Sequence, residues 1–473
     1  MKHTAHGWWL EEARPVEPAP PLEGELAADL VVVGGGYTGM WTAWHALAAE
    51  PEARVVVLEA DRCGHGPSGR NGGFCESLWV AAARLRDELG DAAARTLAEA
   101  SSETVDAIGR WCEEQDVDAW FRRAPYLAAG AGGGSEASTG GGAVGAGSAA
   151  AEAAAALGAS DRVRRLSAQE VRARCGSPAL GGGILVPDAA TVQPARLALG
   201  LRARLRERGV EVFERSRVRG VRALGPRAVE VETAGGRVRA GAAVLAAGAT
   251  LRALRPLRAR LTVTSSHIVL TEPVPDVLDE IGWTGGESVT DGRTLVHYFR
   301  TTRDGRVLLG WGGGRLAVGA RLGGHVEVDA AVARHLREYL VHLFPQLEGL
   351  RVTHAWGGPI DVSPDHLPQV GELAGGPVHF AFGYTGNGVG PSHLVGRTLA
   401  SRALDRRDEA SRLPFPEPGG ARVPPEPLAW LGGSAVRAAC VRRDRLLGEG
   451  RAVDPLTRSV CALPGLLGIH LTR

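Results

Sequence analysis

Three glycines in the run Gly34-Gly35-Gly36-Tyr37-Thr38-Gly39 stand at the spacing GxGxxG, directly behind the apolar, β-branched stretch Leu30-Val31-Val32-Val33. Met40, Trp41, Trp44, Leu47 and Ala48 then recur at helical spacing, and Arg54–Leu58 reads as a second strand closing on Glu59, twenty residues beyond Gly39. GxGxxG alone is a weak signal; inside strand, turn, helix, strand and acid it describes a site for a dinucleotide. Gly34 permits the tight turn, Gly36 lets the backbone approach a pyrophosphate, and Gly39 lets helix and strand pack closely. A helix starting at Tyr37 and Thr38 offers free N–H groups and a partial positive charge to phosphates, and Glu59 with Ala60 falls where ribose hydroxyls need a partner.

The segment after Ala60 separates FAD from NAD. A plain NAD domain proceeds to another helix here, whereas this chain stays glycine-rich through Ser68-Gly69-Arg70-Asn71-Gly72-Gly73. Ser68, Arg70 and Asn71 can donate hydrogen bonds to a further stretch of pyrophosphate or to a ring system. With these residues the sequence resembles the D-amino-acid oxidase-like superfamily of FAD-dependent oxidoreductases. Within it the texture is closest to the γ-glutamylputrescine oxidase-like and aminophosphonate oxidoreductase groups. The shared stretches are residues 35–43, 68–73, 192–194, 296–300 and 386–391, and the likeness runs from about Trp8 to about Leu399.

The resemblance implies further cofactor contacts. Glu211 to Val218 is expected to be a strand beside the adenine, and Ala243–Ala249, with Ala247 and Gly248, an apolar strand whose end passes the cofactor. The loop Gly386-Asn387-Gly388-Val389, ahead of a helix through Leu394, Val395 and Leu399, is expected to set N–H groups at the N1–C2=O side of the flavin. Asp361 and Asp365 read as caps that turn the chain before that loop. His65 and Cys75 lie near the second cofactor segment, and covalent attachment through either is the alternative to a non-covalent site.

Flavin oxidation of an amine asks little of the protein: a dry roof that binds the substrate and keeps its nitrogen neutral while hydride passes to flavin N5. The resulting imine hydrolyses to an aldehyde or keto product. The roof is expected on strands within residues 261–315, with a turn around Asp304-Gly305. Alternation along His297-Tyr298-Phe299-Arg300 sends Tyr298 and Arg300 to one face and His297 and Phe299 to the other. Tyr298 and Arg300 are the first candidates to hold an amine that carries an anionic group; His267, on a neighbouring strand, is the third catalytic candidate, and Trp311 and Trp356 are candidate walls. Two departures qualify the resemblance. Thr302 stands three before Gly305, where glycine oxidase-like members carry a carboxylate-binding arginine, so an ordinary α-amino acid is not the expected substrate. Trp311 stands where the aminophosphonate group carries a lysine.

Composition narrows the alternatives. Of 54 basic residues only Lys2 is lysine, so no internal lysine can form a Schiff base, complete a P-loop or stand above a flavin. The six cysteines form no CxxC pair, which argues against a metal site, and the formal charge of +1 argues against nucleic acid as a partner. Without an apolar leader or spanning window, a cytoplasmic protein with no transmembrane segment is the expectation. O2 is the expected electron acceptor; a dehydrogenase serving a quinone or protein, and a non-catalytic flavin-binding scaffold, remain alternatives.

The elements that must position these residues read as α/β: a discontinuous Rossmann-type FAD-binding domain (26–80, 165–255, 355–405) interleaved with an α+β substrate domain with an antiparallel sheet (81–164, 256–354). Segment 82–123 reads as helical, and 128–157, all Gly, Ala and Ser in texture, as a surface loop without a packed core. Residues 406–473 read as a Pro-rich linker with an Arg-rich packing appendage, or as a membrane-surface helix.

Overall fold

Gly24–Val33 and Val55–Leu58 lie side by side as parallel strands in an eight-stranded sheet of the computed structural model, which describes residues 1–14, 16–131, 143–319 and 321–471. Their unbroken valine runs are buried because helices and loops cover both faces of a parallel sheet. Glu211–Phe213, Gly236–Leu245 and Val378–Phe382 extend the parallel part, and Gly220–Gly225, Ala228–Glu232 and Gln369–Glu372 add antiparallel strands. The helix Tyr37–Ala49 packs against Val389–Ala403, and Gly396 sets that approach: a Cβ there would lie 2.6 Å from the Cβ of Trp41.

A second sheet of nine strands, mostly antiparallel, stands across from the first. At its centre Val352–Val362, Thr262–Thr271, Val307–Trp311, His297–Thr301 and Ser288–Asp291 are neighbours in that order. The helix Ala330–Leu343 covers its outer face through Val332, Leu336 and Leu340. The short helix Gly7–Glu12 covers one end of the inner face, where Trp8 and Trp9 meet Ile268, Leu270 and Leu308.

Three expectations are corrected. Much of segment 128–157 is not a loop: Tyr126–Ala131 is a strand and Ala143–Ala156 a helix, with Ala150, Ala153, Ala154 and Leu157 in the largest core cluster, while 132–142 lie outside the described residues. Alanine is the strongest helix former and its small side chain lets a helix lie close to its neighbours, so low complexity did not prevent packing. Glu211–Val218 is a strand only to Phe213, because Glu214 turns inward to Arg202 (2.9 Å) and accepts the N–H groups of Ala19 and Cys63. The apolar strand before Ala249 stops at Leu245, and Gly248–Ala253 is a 3₁₀ turn. In 82–123 the helices Ala82–Leu89 and Asp91–Glu114 meet at Gly90, whose φ of +76° breaks the run.

Candidate active site

Where the two sheets face each other they enclose a cavity of about 1380 Å³. Its floor is built from the glycine turn. Gly34, Gly36, Tyr37 and Thr38 line it, with Glu59 and Ala60 at the end of the second strand. Glu59 accepts the N–H of Gly35 (2.7 Å) and of Asp61 (2.9 Å), and burial raises its pKa. The Tyr37 N–H donates to Ser68 Oγ (2.9 Å), which ties the second glycine segment to the helix N-terminus.

Ser68, Arg70, Asn71 and Gly72 line the next part of the cavity. This loop caps itself: Asn71 Nδ2 donates to the Ser68 carbonyl (2.9 Å) and Asn71 Oδ1 accepts from Gly73 N (2.7 Å). Two buried indoles hold it from behind, Trp9 donating to the Asn71 carbonyl (2.9 Å) and Trp356 to the Arg70 carbonyl (2.8 Å). Trp356 is therefore a brace for the loop and not a wall of the cavity. Val218, Ala247 and Gly248 line one end, and Gly386, Asn387, Gly388 and Val389 another. Asp361 holds that last loop by accepting Gly383 N (2.6 Å), and burial pushes its pKa up to about 6. Asp365 accepts from Leu367 N and Gln369 Nε2.

Three of the expected glycines serve packing and do not line the cavity. A Cβ on Gly39 would lie 2.0 Å from the Gly34 carbonyl oxygen, one on Gly69 2.1 Å from that of Gly64, and one on Gly73 2.2 Å from that of Val192. Gly36 differs. Its Cβ would meet only Ser68 Oγ, at 3.0 Å, so the protein's own packing does not demand glycine there. A ligand that needs backbone at contact distance does, and the helix N-terminus beside it, to which Gly36 supplies no side-chain cap, suits a pyrophosphate. The cradle fits FAD. Of the two candidates for a covalent link, His65 lines the cavity, whereas Cys75 is fully buried in the core with burial raising its pKa, a poor nucleophile.

Register decides the roof. His297, Trp311 and His267 face one another across three adjacent strands, and so do Tyr298, Gly310 and Ile268 in the next row. Cross-strand partners share a face, and it is the second row that meets the cavity, through Tyr298 and Ile268. Tyr298 Oη lies 2.7 Å from Ser266 Oγ, whose own proton goes to the Trp311 carbonyl (3.0 Å). Tyr298 is thus the donor to Ser266. Phe74 meets the ring edge-on at 5.8 Å. Ser266, Thr264 and Thr290 also line this part, and the sequence reading missed all three, although alternation away from His267 puts Ser266 and Thr264 together on the opposite face.

His267 stands on the far face and is corrected as a catalytic candidate. It is buried beside Gly357 with Nε2 3.1 Å from Ser265 Oγ, and burial pulls its pKa from 6.5 to about 4. Trp311 stacks on His297 on that same face, donates to the Leu295 carbonyl (2.9 Å), and is no cavity wall. His297 itself is bound by Asp291 (2.7 Å) and stacked on Tyr339 (3.8 Å). A histidine whose folded pKa is lowered binds more protons when unfolded, so its contribution is complete above its ordinary 6.5 and is lost as pH falls toward 4. We expect His267 to cost on the order of 2 kcal/mol of stability by about pH 5. His267→Asn should show a flatter decline of unfolding temperature between neutral pH and pH ~5; an unchanged slope would contradict the assignment.

Arg300 is also corrected. Alternation does place it on the face of Tyr298, but that face is shared: Tyr298 meets the cavity and Arg300 lies under the N-terminal helix, 5.5 Å from the Trp9 ring. The guanidinium is buried and donates to the carbonyls of Gly73 (2.8 Å), Val192 (2.9 Å) and Thr301 (3.1 Å). Burial lowers its pKa to about 9, which leaves it charged at neutral pH. It holds the second glycine segment and does not line the cavity.

The C-terminal segment is more than a packing appendage. Leu428–Gly448 and Pro455–Leu466 form a helical hairpin that lines the cavity through residues such as Val436, Arg437 and Leu467. Among the described residues no helix is long and apolar enough to cross a membrane, and no cluster of His, Cys, Asp or Glu could hold a metal.

Comparison with known proteins agrees with this geometry. The chain is 30% identical over 436 residues to the γ-glutamylputrescine oxidoreductase of Escherichia coli strain K12, covering 89% of this chain and 96% of that protein. It is 28% identical over 430 residues to the OrdL oxidoreductase of Rhizobium meliloti strain 1021, covering 88% and 93%. Among solved structures, L-proline dehydrogenase from P. horikoshii superposes with a TM-score of 0.66 at 18% identity, covering 84% of this chain and 98% of that one. The model of the DAO family, FAD dependent oxidoreductases, matches residues 29–402. Resemblance, cradle and family agree: the chain belongs to the DAO family of FAD-dependent oxidoreductases, enzymes of amine and amino-acid donors.

Proposed function

We propose that this enzyme oxidises the C–N bond of a small primary or secondary amine to an imine that hydrolyses to an aldehyde or ketone, with O2 as electron acceptor. The observation that carries the reading is the continuity of one cavity from the glycine cradle to the roof around Tyr298. FAD, when bound there, supplies a hydride acceptor at N5. In this reading Gly34, Gly36, Tyr37, Thr38, Glu59 and Ala60 hold the adenosine and pyrophosphate part. Ser68, Arg70, Asn71 and Gly72, with Val218, Ala247, Gly248 and the loop Gly386–Val389, hold the rest. The sheet carrying the glycine turn is the cofactor unit, and the nine-stranded sheet is the substrate unit. The anionic group expected on the substrate rested on Arg300 and falls with it.

Tyr298 is the group we assign to the substrate. With its proton committed to Ser266, its oxygen accepts a hydrogen bond from the amine and turns the nitrogen lone pair away from it. A cytoplasmic location, with its thiols reduced, belongs to the same reading.

The test is oxygen uptake on adding amines to the holoenzyme, with carbonyl product measured in parallel. Tyr298→Phe should weaken apparent amine affinity in flavin reduction by roughly two- to tenfold, the worth of one neutral hydrogen bond, with FAD content unchanged. Unaltered affinity in that variant would remove Tyr298 from the substrate site. Flavin reduction without oxygen uptake would assign the acceptor to a quinone or protein instead.

A further inference from the structure

We infer that the C-terminal helical hairpin is the distal wall of the substrate compartment and that the substrate is an amine bearing an extended apolar tail. The inference rests on the amine reading above and adds the substrate class. The hairpin lies outside the residues, 29–402, that the family model matches.

It crosses the mouth of the cavity and is fixed on both sides. On the roof side, Asp444 accepts the N–H groups of Thr294 (3.2 Å) and Leu295 (3.0 Å), and Arg437 Nε donates to the carbonyls of Gly313 and Gly314 (both 2.8 Å). On the cofactor side, His470 N donates to the Pro364 carbonyl (2.9 Å), and the His470 ring lies 3.0 Å from Arg84. Cys440 and Cys461, sulfurs 3.7 Å apart, pack the two helices together. A strap tied at both ends in this way forms a fixed wall.

The chemistry of the wall is apolar. Leu428, Val436, Leu463, Leu466, Leu467 and Ile469 face the cavity, across from Leu295, Leu316 and Leu322 of the roof. Eight of the thirteen exposed large hydrophobic residues of the described chain belong to this hairpin, and Leu466 is 81% exposed. Four of those eight, Leu428, Leu463, Leu466 and Leu467, line the cavity, and leucines left outside the core around one opening mark a binding surface. No Asp or Glu of the hairpin lines the cavity, so a cationic tail end would enter with no acid to meet it. The amine reacts under Tyr298, and the tail runs outward along the hairpin.

The probe is dansyl-undecanoic acid bound to the FAD-loaded enzyme and displaced by n-butylamine, n-hexylamine and n-octylamine, read by fluorescence. The same amines are then used to reduce the flavin without oxygen. Affinity should rise roughly threefold per methylene, on the order of a hundredfold from butyl to octyl. Gly432→Trp adds bulk at a lining position where nothing lies within 4 Å of a Cβ, so the fold is kept while the distal compartment fills. That variant should flatten the chain-length dependence to less than about threefold overall. Leu467→Asp, at a 52% exposed site, should act in the same direction. Chain-length-independent binding in the wild type, or an unchanged dependence in both variants, overturns the proposal. A hairpin-dependent preference for long chains in displacement, with no amine reducing the flavin, would uphold the wall and refute the amine chemistry. Flavin reduction indifferent to chain length would do the reverse.

Discussion

Gly36→Val should give a folded, colourless protein. The protein itself resists the change little: a Cβ at this position meets only the hydroxyl of Ser68, at 3.0 Å, which must give by a few tenths of an ångström. Gly39, three residues on, has no such room, and a Cβ there would sit 2.0 Å from a carbonyl oxygen. Glycine at 36 therefore answers to the ligand and glycine at 39 to the fold. A valine at 36 occupies the space at the helix N-terminus that a pyrophosphate would fill, so it excludes the phosphate and does not merely weaken one contact. We expect FAD affinity to fall by on the order of a thousandfold or more, about 4 kcal/mol. Far-UV circular dichroism should match that of the wild-type apoprotein. Acid-released flavin per chain is the readout, and stoichiometric FAD in the variant would mean that the turn does not cradle the cofactor. Gly39→Val should instead fail to fold.

Arg300→Ala should damage the fold and the cofactor loop, not substrate saturation. The wild-type guanidinium satisfies the carbonyls of Gly73, Val192 and Thr301 and fills the space beneath Trp9. Alanine removes the guanidinium donor from the Val192 and Thr301 carbonyls, leaves the Gly73 carbonyl with the Val192 N–H, and opens a void. A loss of about 1–3 kcal/mol is expected, the cost of leaving buried acceptors short of a donor. Because Gly73 closes the loop that begins at Ser68, FAD should also be released more readily on dilution. Thermal unfolding and flavin retention measure both effects. An unfolding temperature like that of the wild type, together with a large rise in the amine concentration needed for flavin reduction, would restore Arg300 to the substrate site.

Arg300 also marks the limit of what the sequence discloses. The cofactor half is local: strand, turn, helix and acid are consecutive, so the spacing of Gly34, Gly36, Gly39 and Glu59 carries the geometry within itself. The roof is only half local. Period two correctly separates Tyr298 and Arg300 from His297 and Phe299, as the packing of Phe299 in the outer core cluster shows. What covers each part of a face is set by distant chain, and here the helix Gly7–Glu12 claims Arg300 while the cavity keeps Tyr298. His267 fails as a candidate for a related reason, since its register against Trp311 fixes its face and register is not written in one strand alone. The segment after Leu428 was legible only as an amphipathic packing appendage and not as a wall, because its anchors at Thr294, Leu295, Gly313 and Pro364 lie far away in sequence.

The most direct test of amine oxidation is the absorbance of the FAD-loaded enzyme titrated with amines in the absence of oxygen. The account predicts bleaching of the oxidised flavin band by at least one primary or secondary amine with an apolar tail. Two electrons should be taken up per flavin, one carbonyl product should form, and colour should return when air is admitted. A flavin that dithionite reduces but that stays oxidised before every amine of the series would contradict it.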